Sequence, residues 1–462
     1  MALDKNLAAA IAATRFGLGA RPGQLERIAA DPRGWLSSQI TAAGADQPQP
    51  APQSSQARLL EFRAFQRQRQ QAKAAGDPKS DPVKMVAKLL RRETGGDFLA
   101  RVGLATTTDA DFRERWALFW CNHFTVSATK LQTATIVGPF EAEAIRPNVF
   151  GPFEHLLVAS TSHPAMLLYL DQAQSIGPDS RAAMFLDRRG KRKAGLNENL
   201  AREAMELHTV GVGAGYTQAD VTEFARALTG WSIGGLKAPD DIAGRFLFRP
   251  GAHEPGVRTI MGRRYPQGGM QQGLAVLKDL AASPHTAHHL GFEIARHFVA
   301  DDPPPTLVAK LERTYLDTGG DLGDVARTLV AAPEAWQPAQ RKFKTPYEFL
   351  VSSWRAASVS PQSLREVAPV LNGMGQRPFS APSPKGWPEA GETWCAPDAV
   401  IKRVVWSEQL AARSMRGRDP NELAREALGA RLTPLVAKTI SRAETREEGL
   451  AILLMSPEFQ RR

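Results

Sequence analysis

Cysteine is nearly absent. Cys121 and Cys395 are the only two in 462 residues, too few for a disulfide scaffold. Signature motifs are missing as well. There is no P-loop, no dinucleotide-binding glycine fingerprint, no His-Glu-x-x-His, no nucleophile elbow and no zinc-type cysteine pair, which disfavours the commonest nucleotide, hydrolase and zinc-peptidase classes. Long apolar runs are lacking too. The longest weakly polar stretch, His155 to Leu170, is broken by Ser160, Ser162, His163 and Pro164, so no transmembrane segment is expected. Met1 to Ala13 shows a short alanine run and no signal-peptide pattern. The expected compartment is therefore the cytoplasm, with export bound to a partner as the alternative. Acids are outnumbered by bases, 48 to 58, for a net charge of +10, which favours an anionic substrate. Aromatics make up 7%, and the basic clusters Arg58–Arg92 and Arg188–Lys193 are not interleaved with them, which argues against nucleic acid.

What is present is helical periodicity. Hydrophobic content of 43% and charged content of 23% suit a globular chain with a large core. Leu196, Leu200, Ala204 and Leu207 share one narrow arc at 100° per residue, the core face of an amphipathic helix. Glu203 and Glu206 fall beside that arc, and Arg202 can reach Glu198 or Glu206 at a spacing of four. Glu203 is predicted to be half buried, where an unpaired carboxylate is costly. Thr217 and Asp220 form a capping box for the next helix, with Val221, Phe224, Ala225 and Leu228 as its core stripe.

Asp/Glu pairs of this kind either pin helices through arginine or do acid–base and metal chemistry. Trp116, Phe119, Trp120 and His123 share one face of a helix predicted over 113–124, so His123 is expected among aromatic rings, with a lowered pKa. His253-Glu254 precedes a Pro-Gly turn in a loop between two predicted strands, 245–248 and 257–261. The ridge His289, Glu293, His297 has spacings of four and four, and reads more readily as an exposed pairing ridge than as metal ligands.

Several stretches resemble one bacterial family. They are Arg15-Phe16-Gly17-Leu18-Gly19, Phe119-Trp120-Cys121-Asn122-His123-Phe124, His163-Pro164 through Asp171, Asn197-Glu198-Asn199 through Glu203, Tyr216 through Val221, Ala225 through Trp231, the His253 loop and Gly386-Trp387-Pro388. In order, over nearly the whole chain, they look like domain-of-unknown-function family 1800. The resemblance implies a mostly helical protein, often encoded beside a sulfatase-like partner of family 1501, with no established reaction. Relatives often carry Phe at the position of His208, usually Lys at that of Glu293, and in many cases His at that of Cys121.

The expected architecture is mainly α. An N-terminal helical segment (1–43) joins a main helical domain (83–462), with a flexible Gln/Pro-rich basic arm (44–82) between them. The main domain carries a small β-hairpin near 245–262 and a Pro/Trp-rich loop near 378–396. The expected function is an enzyme, leaning to metal-assisted hydrolysis, with Glu203, Glu206, Arg202, His253 and Glu254 catalytic. His123, Glu203, Glu206 and His253 would hold a divalent metal. The alternative is a non-enzymatic helical partner for the sulfatase-like protein.

Overall fold

The Asp111–His123 helix is the axle of the molecule, and three buried charges on it explain why. Asp111 and the guanidinium of Arg355 meet at 2.7 Å with neither exposed to solvent. Glu114 takes a two-pronged pair from Arg146 at 2.7 and 2.8 Å, and Arg115 bonds Glu348 and the carbonyl of Gly17. Removing one member of such a pair strands a charge in the interior. Burial lifts the Asp111 carboxyl to about 6 against the pull of Arg355. The Arg15–Gly19 stretch is built around the same helix. A Cβ on Gly17 would lie 2.7 Å from the Asp111 carboxylate, and one on Gly19, where φ is +100°, 2.8 Å from Ser352 Cβ. Arg15 reaches out to the carbonyls of Ala335 and Gln337.

A computed structural model describes residues 4–74, 82–190, 195–235, 238–415 and 417–462. The chain is mainly α, with two small two-stranded antiparallel sheets. A single apolar core unites helices from Lys5–Ile11 to Pro457–Gln460. Among the described residues no helix is long and apolar enough to cross a membrane. Trp116, at the middle of the axle, stacks 6.0 Å from Phe150 and touches Phe112, Phe119, Trp120 and Phe298.

The small β insertion is present with a refinement of its pairing. Phe246–Phe248 pairs with Trp231–Ile233, and Arg258–Ile260 folds back on Arg263–Tyr265. The second is a tight hairpin. Met261 and Gly262 have φ of +48° and +77°, the left-handed pair that a type I′ turn requires. The capping box forms, with Thr217 N–H on Asp220 at 2.7 Å. The other Asp220 oxygen accepts from Met261 N–H at 2.6 Å, tying the hairpin to the Gln218–Leu228 helix.

The arm expected to be flexible is docked at Ala45, Ser55, Arg58 and Arg63. Ala45 N–H bonds the carbonyl of Arg146, and Ser55 bonds Glu143 through both its N–H and its hydroxyl at 2.7 Å. Ser55–Ala74 is a helix whose Arg58 is buried between Glu93 and Asp97, while Arg63 meets Asp240. Basic composition suggested a solvated arm, but these cations are neutralised by acids far away in the chain. Residues 75–81 of that arm lie outside the described residues.

Candidate functional site

The helix beginning at Asn199 changes pitch in its middle. Asn199–Glu203 is α-helical, and Ala204–His208 is a π-turn. The extra residue per turn shifts the phase of everything after it. Its two sides then carry different chemistry. On the outer side Arg202 bridges Glu198 at 3.1 Å and Glu206 at 3.5 Å. Glu198 also accepts from Gln218 and Thr222. Glu203 is half buried, and burial followed by the charge of Glu206 raises its pKa.

On the inner side the last carbonyls of the turn are taken by imidazoles. His123 Nε2–H donates to the carbonyl of His208 at 3.2 Å. His289 Nε2–H donates to that of Leu207 at 3.1 Å. Helix ends leave such carbonyls without backbone donors. The His123 ring centroid lies 6.0 Å from that of His208 and 6.3 Å from that of His289. It is flanked by Phe119, Trp120 and Phe124. Burial, reinforced by the two neighbouring histidines, pushes the His123 pKa well below the usual imidazole range. His123 is thus neutral at pH 7, with its proton on Nε2 and Nδ1 unprotonated. His208 is 1% exposed, and among the described residues neither ring nitrogen has a partner. Burial, then His289, lowers its pKa to about 3.

His123 and His289 line a cleft of about 320 Å³ together with Glu293, Arg296, Lys385 and Glu389. Its outer wall is the Pro/Trp-rich loop. Asn122 clamps that loop by its backbone, with Trp387 N–H on Asn122 Oδ1 at 2.8 Å and Asn122 Nδ2 on the Trp387 carbonyl at 3.1 Å. Gly386 has φ of +80°, and a Cβ there would sit 2.5 Å from the Asn122 carbonyl oxygen. The clamp therefore needs both the amide and the glycine.

Charge in the cleft is unevenly compensated. Glu389 receives His297 Nδ1–H at 2.8 Å and lies 3.6 Å from Lys342. Burial opposes its ionisation, yet His297 and Lys342 hold it down to about 2. Glu293 is the reverse case, since burial raises its pKa more than His289 and Arg296 lower it. Among the described residues neither Arg296 nor Lys385 has a carboxylate within 4.0 Å, and Arg296 Nε is buried without a partner. Behind Trp387-Pro388-Glu389 lies a second chamber of about 110 Å³, lined by His297, Tyr347, Arg115 and Glu348 among others.

Of the residues expected at one site, His123 lines this cleft. Glu203, Glu206 and Arg202 do not: Arg202 pairs with Glu198, Glu206 and Gln218, and Glu203 is half buried beside them. His253 and Glu254 form a clasp elsewhere. His253 Nδ1–H donates to the Thr229 carbonyl at 3.0 Å, Thr229 Oγ1 bonds Glu254 N–H at 2.7 Å, and the Glu254 carboxylate accepts from Asp179 N–H at 2.8 Å. Burial lowers the His253 pKa and raises that of Glu254. The expected four-residue metal set is therefore not assembled. Among the described residues no group of three or more His, Cys, Asp or Glu is placed to hold a metal ion.

Asn122, Arg296, Lys385 and Glu389 were not expected at the site, and the His289–Glu293–His297 ridge, expected in solvent, is half-buried to buried. Asn122 sits inside the aromatic motif next to His123, a signal that was present.

Over residues 11–461 the chain matches the family model described as Protein of unknown function (DUF1800). No curated protein and no solved structure matches it.

Proposed function

The chain belongs to the DUF1800 family, and from that premise we propose that it is an enzyme that hydrolyses a small anionic substrate in the cleft behind the Gly386-Trp387-Pro388 loop. One observation carries the reading. The cleft gathers two imidazoles, a carboxyl of raised pKa, and two cations that lack carboxylate partners among the described residues. Arg296 and Lys385 would hold the anionic group of the substrate. Neutral His123 would take a proton from water through Nδ1 as the water oxygen attacks. Glu293, whose pKa burial raises, would return a proton to the leaving oxygen. Bonds and protons then balance: one water is consumed, and the acid and base are restored by proton exchange with solvent.

Purified protein is to be tested on small aryl esters of phosphate, sulfate and dicarboxylic acids. We expect turnover of one class, with His123→Ala lowering kcat by about 10²-fold or more, and Lys385→Ala raising KM. Unchanged turnover in both variants, with helix content intact, would falsify the assignment. A divalent metal present in stoichiometric amount would overturn the metal-free form of the reaction. A second reading, a non-enzymatic partner of the sulfatase-like protein, is favoured by the exposed apolar ridge Ile401, Val404 and Val405 on the Pro397–Ser414 helix. Co-purification that Ile401→Ser abolishes would support it.

A further inference from the structure

The Arg181–Arg188 helix takes no part in the cleft, and none of its eight residues is buried. Its root is firmly held. Asp179 N–H is bonded by Glu254, Gly177 N–H by the Ala252 carbonyl, and Ser180 Oγ caps the helix at Ala183 N–H. Its outer surface is left to solvent, with Phe185 53% and Met184 48% exposed. Arginines flank both. Arg181, Phe185 and Arg189 follow at spacings of four, as do Met184 and Arg188, and the Arg189 guanidinium lies 4.3 Å from the Phe185 ring centroid. The sequence continues Lys191-Arg192-Lys193, so 181–193 holds six cations against the single acid Asp187.

We propose that this helix is an interfacial anchor for a membrane surface of anionic lipid. A short helix presenting aromatic and thioether side chains between cations suits a bilayer interface. Phe185 and Met184 enter the acyl boundary while the arginines bend back to phosphate headgroups. Apolar insertion and polybasic attraction then act together, and a single short helix needs both. A nucleic acid would use the cations and leave Met184 and Phe185 in water. An apolar protein partner would leave Arg181, Arg188 and Arg189 unmatched. The charge pattern singles out the lipid surface.

Co-sedimentation of the full chain with vesicles tests this. Vesicles of phosphatidylglycerol and phosphatidylcholine in equal parts should pellet the protein at low salt, and phosphatidylcholine alone should not. Met184→Ser with Phe185→Ser should weaken binding about tenfold, and Arg188→Glu with Arg189→Glu should abolish it. Both pairs are surface changes, and an unchanged Tm verifies the fold. The proposal fails if neutral and anionic vesicles pellet equal amounts, or if the Ser pair binds as well as the parent. Tighter capture by duplex DNA that survives the Ser pair also sinks it, in favour of nucleic acid. Because His123→Ala should leave vesicle binding intact, failure here and failure of the hydrolase reading are separable.

Discussion

The two sides of the Asn199–His208 segment hold the same kind of chemistry in opposite states. Outside, Glu198, Arg202 and Glu206 are partly exposed and bonded to one another. Inside, His123, His208 and His289 are packed in aromatic surroundings, and among the described residues His208 has no partner for either nitrogen. Partnered charges in water have their free energy largely compensated and are worth little individually. Groups withdrawn from water without full compensation keep an unspent capacity to bind or to move protons. Acid density pointed to the outer side, whereas desolvation picks out the inner one.

The largest expected effect concerns His208, and it tests whether the inner side is as dry as described. Its pKa falls from an ordinary 6.5 to about 3 on folding. The neutral ring is the form the fold accepts. Stability is therefore full above about 6.5 and is lost as pH falls from there towards 3, by on the order of 5 kcal/mol. His208→Phe removes the orphaned nitrogens and packs against Phe124, whose ring is 4.9 Å away. The variant should be more stable than the parent at pH 5, with a flatter dependence of Tm on pH. If the two curves are parallel, His208 is hydrated and the contrast between the two sides breaks.

Next comes the wall of the cleft. Gly386→Ala places a Cβ against Asn122 at a φ of +80° and should cost about 2–3 kcal/mol in chemical denaturation. Asn122→Ala removes both clamp bonds and should cost about 1–3 kcal/mol. Both should lower turnover through a displaced loop. A variant that loses stability while keeping full kcat/KM would detach the loop from the site.

The smallest effect is expected outside. Glu203→Gln and Glu206→Gln should each change stability by less than about 1 kcal/mol and leave kcat/KM where it was. A hundredfold fall in turnover for either would reverse the comparison and restore the carboxylate pair to the centre of the chemistry.

Much of the fold was legible in the sequence. Apolar periodicity announced the helices, Thr217 and Asp220 announced a cap that forms, and alternating residues near 246–248 and 258–260 announced strands that exist. Their partners were not legible, because pairing depends on Trp231–Ile233 and Arg263–Tyr265 lying alongside. Composition misled at the arm, since nothing local says that Arg58 will find Glu93 and Asp97. The site was legible only at His123. A straight 3.6-residue helix places Glu203 and Glu206 near the core edge, and the π-turn that changes the phase from Ala204 onward has no marker in the order of residues.

Sequence alone settled what is local: which segments coil and where they cap. Tertiary structure decided which groups share a cleft. The cleft takes His123 from one helix, His289, Glu293 and Arg296 from a second, and Lys385 and Glu389 from a loop almost a hundred residues later. Whether an imidazole is neutral, a carboxyl protonated or a cation unmatched depends on how much water and which charges surround it. Those surroundings are supplied by residues remote along the backbone, and folding brings them together.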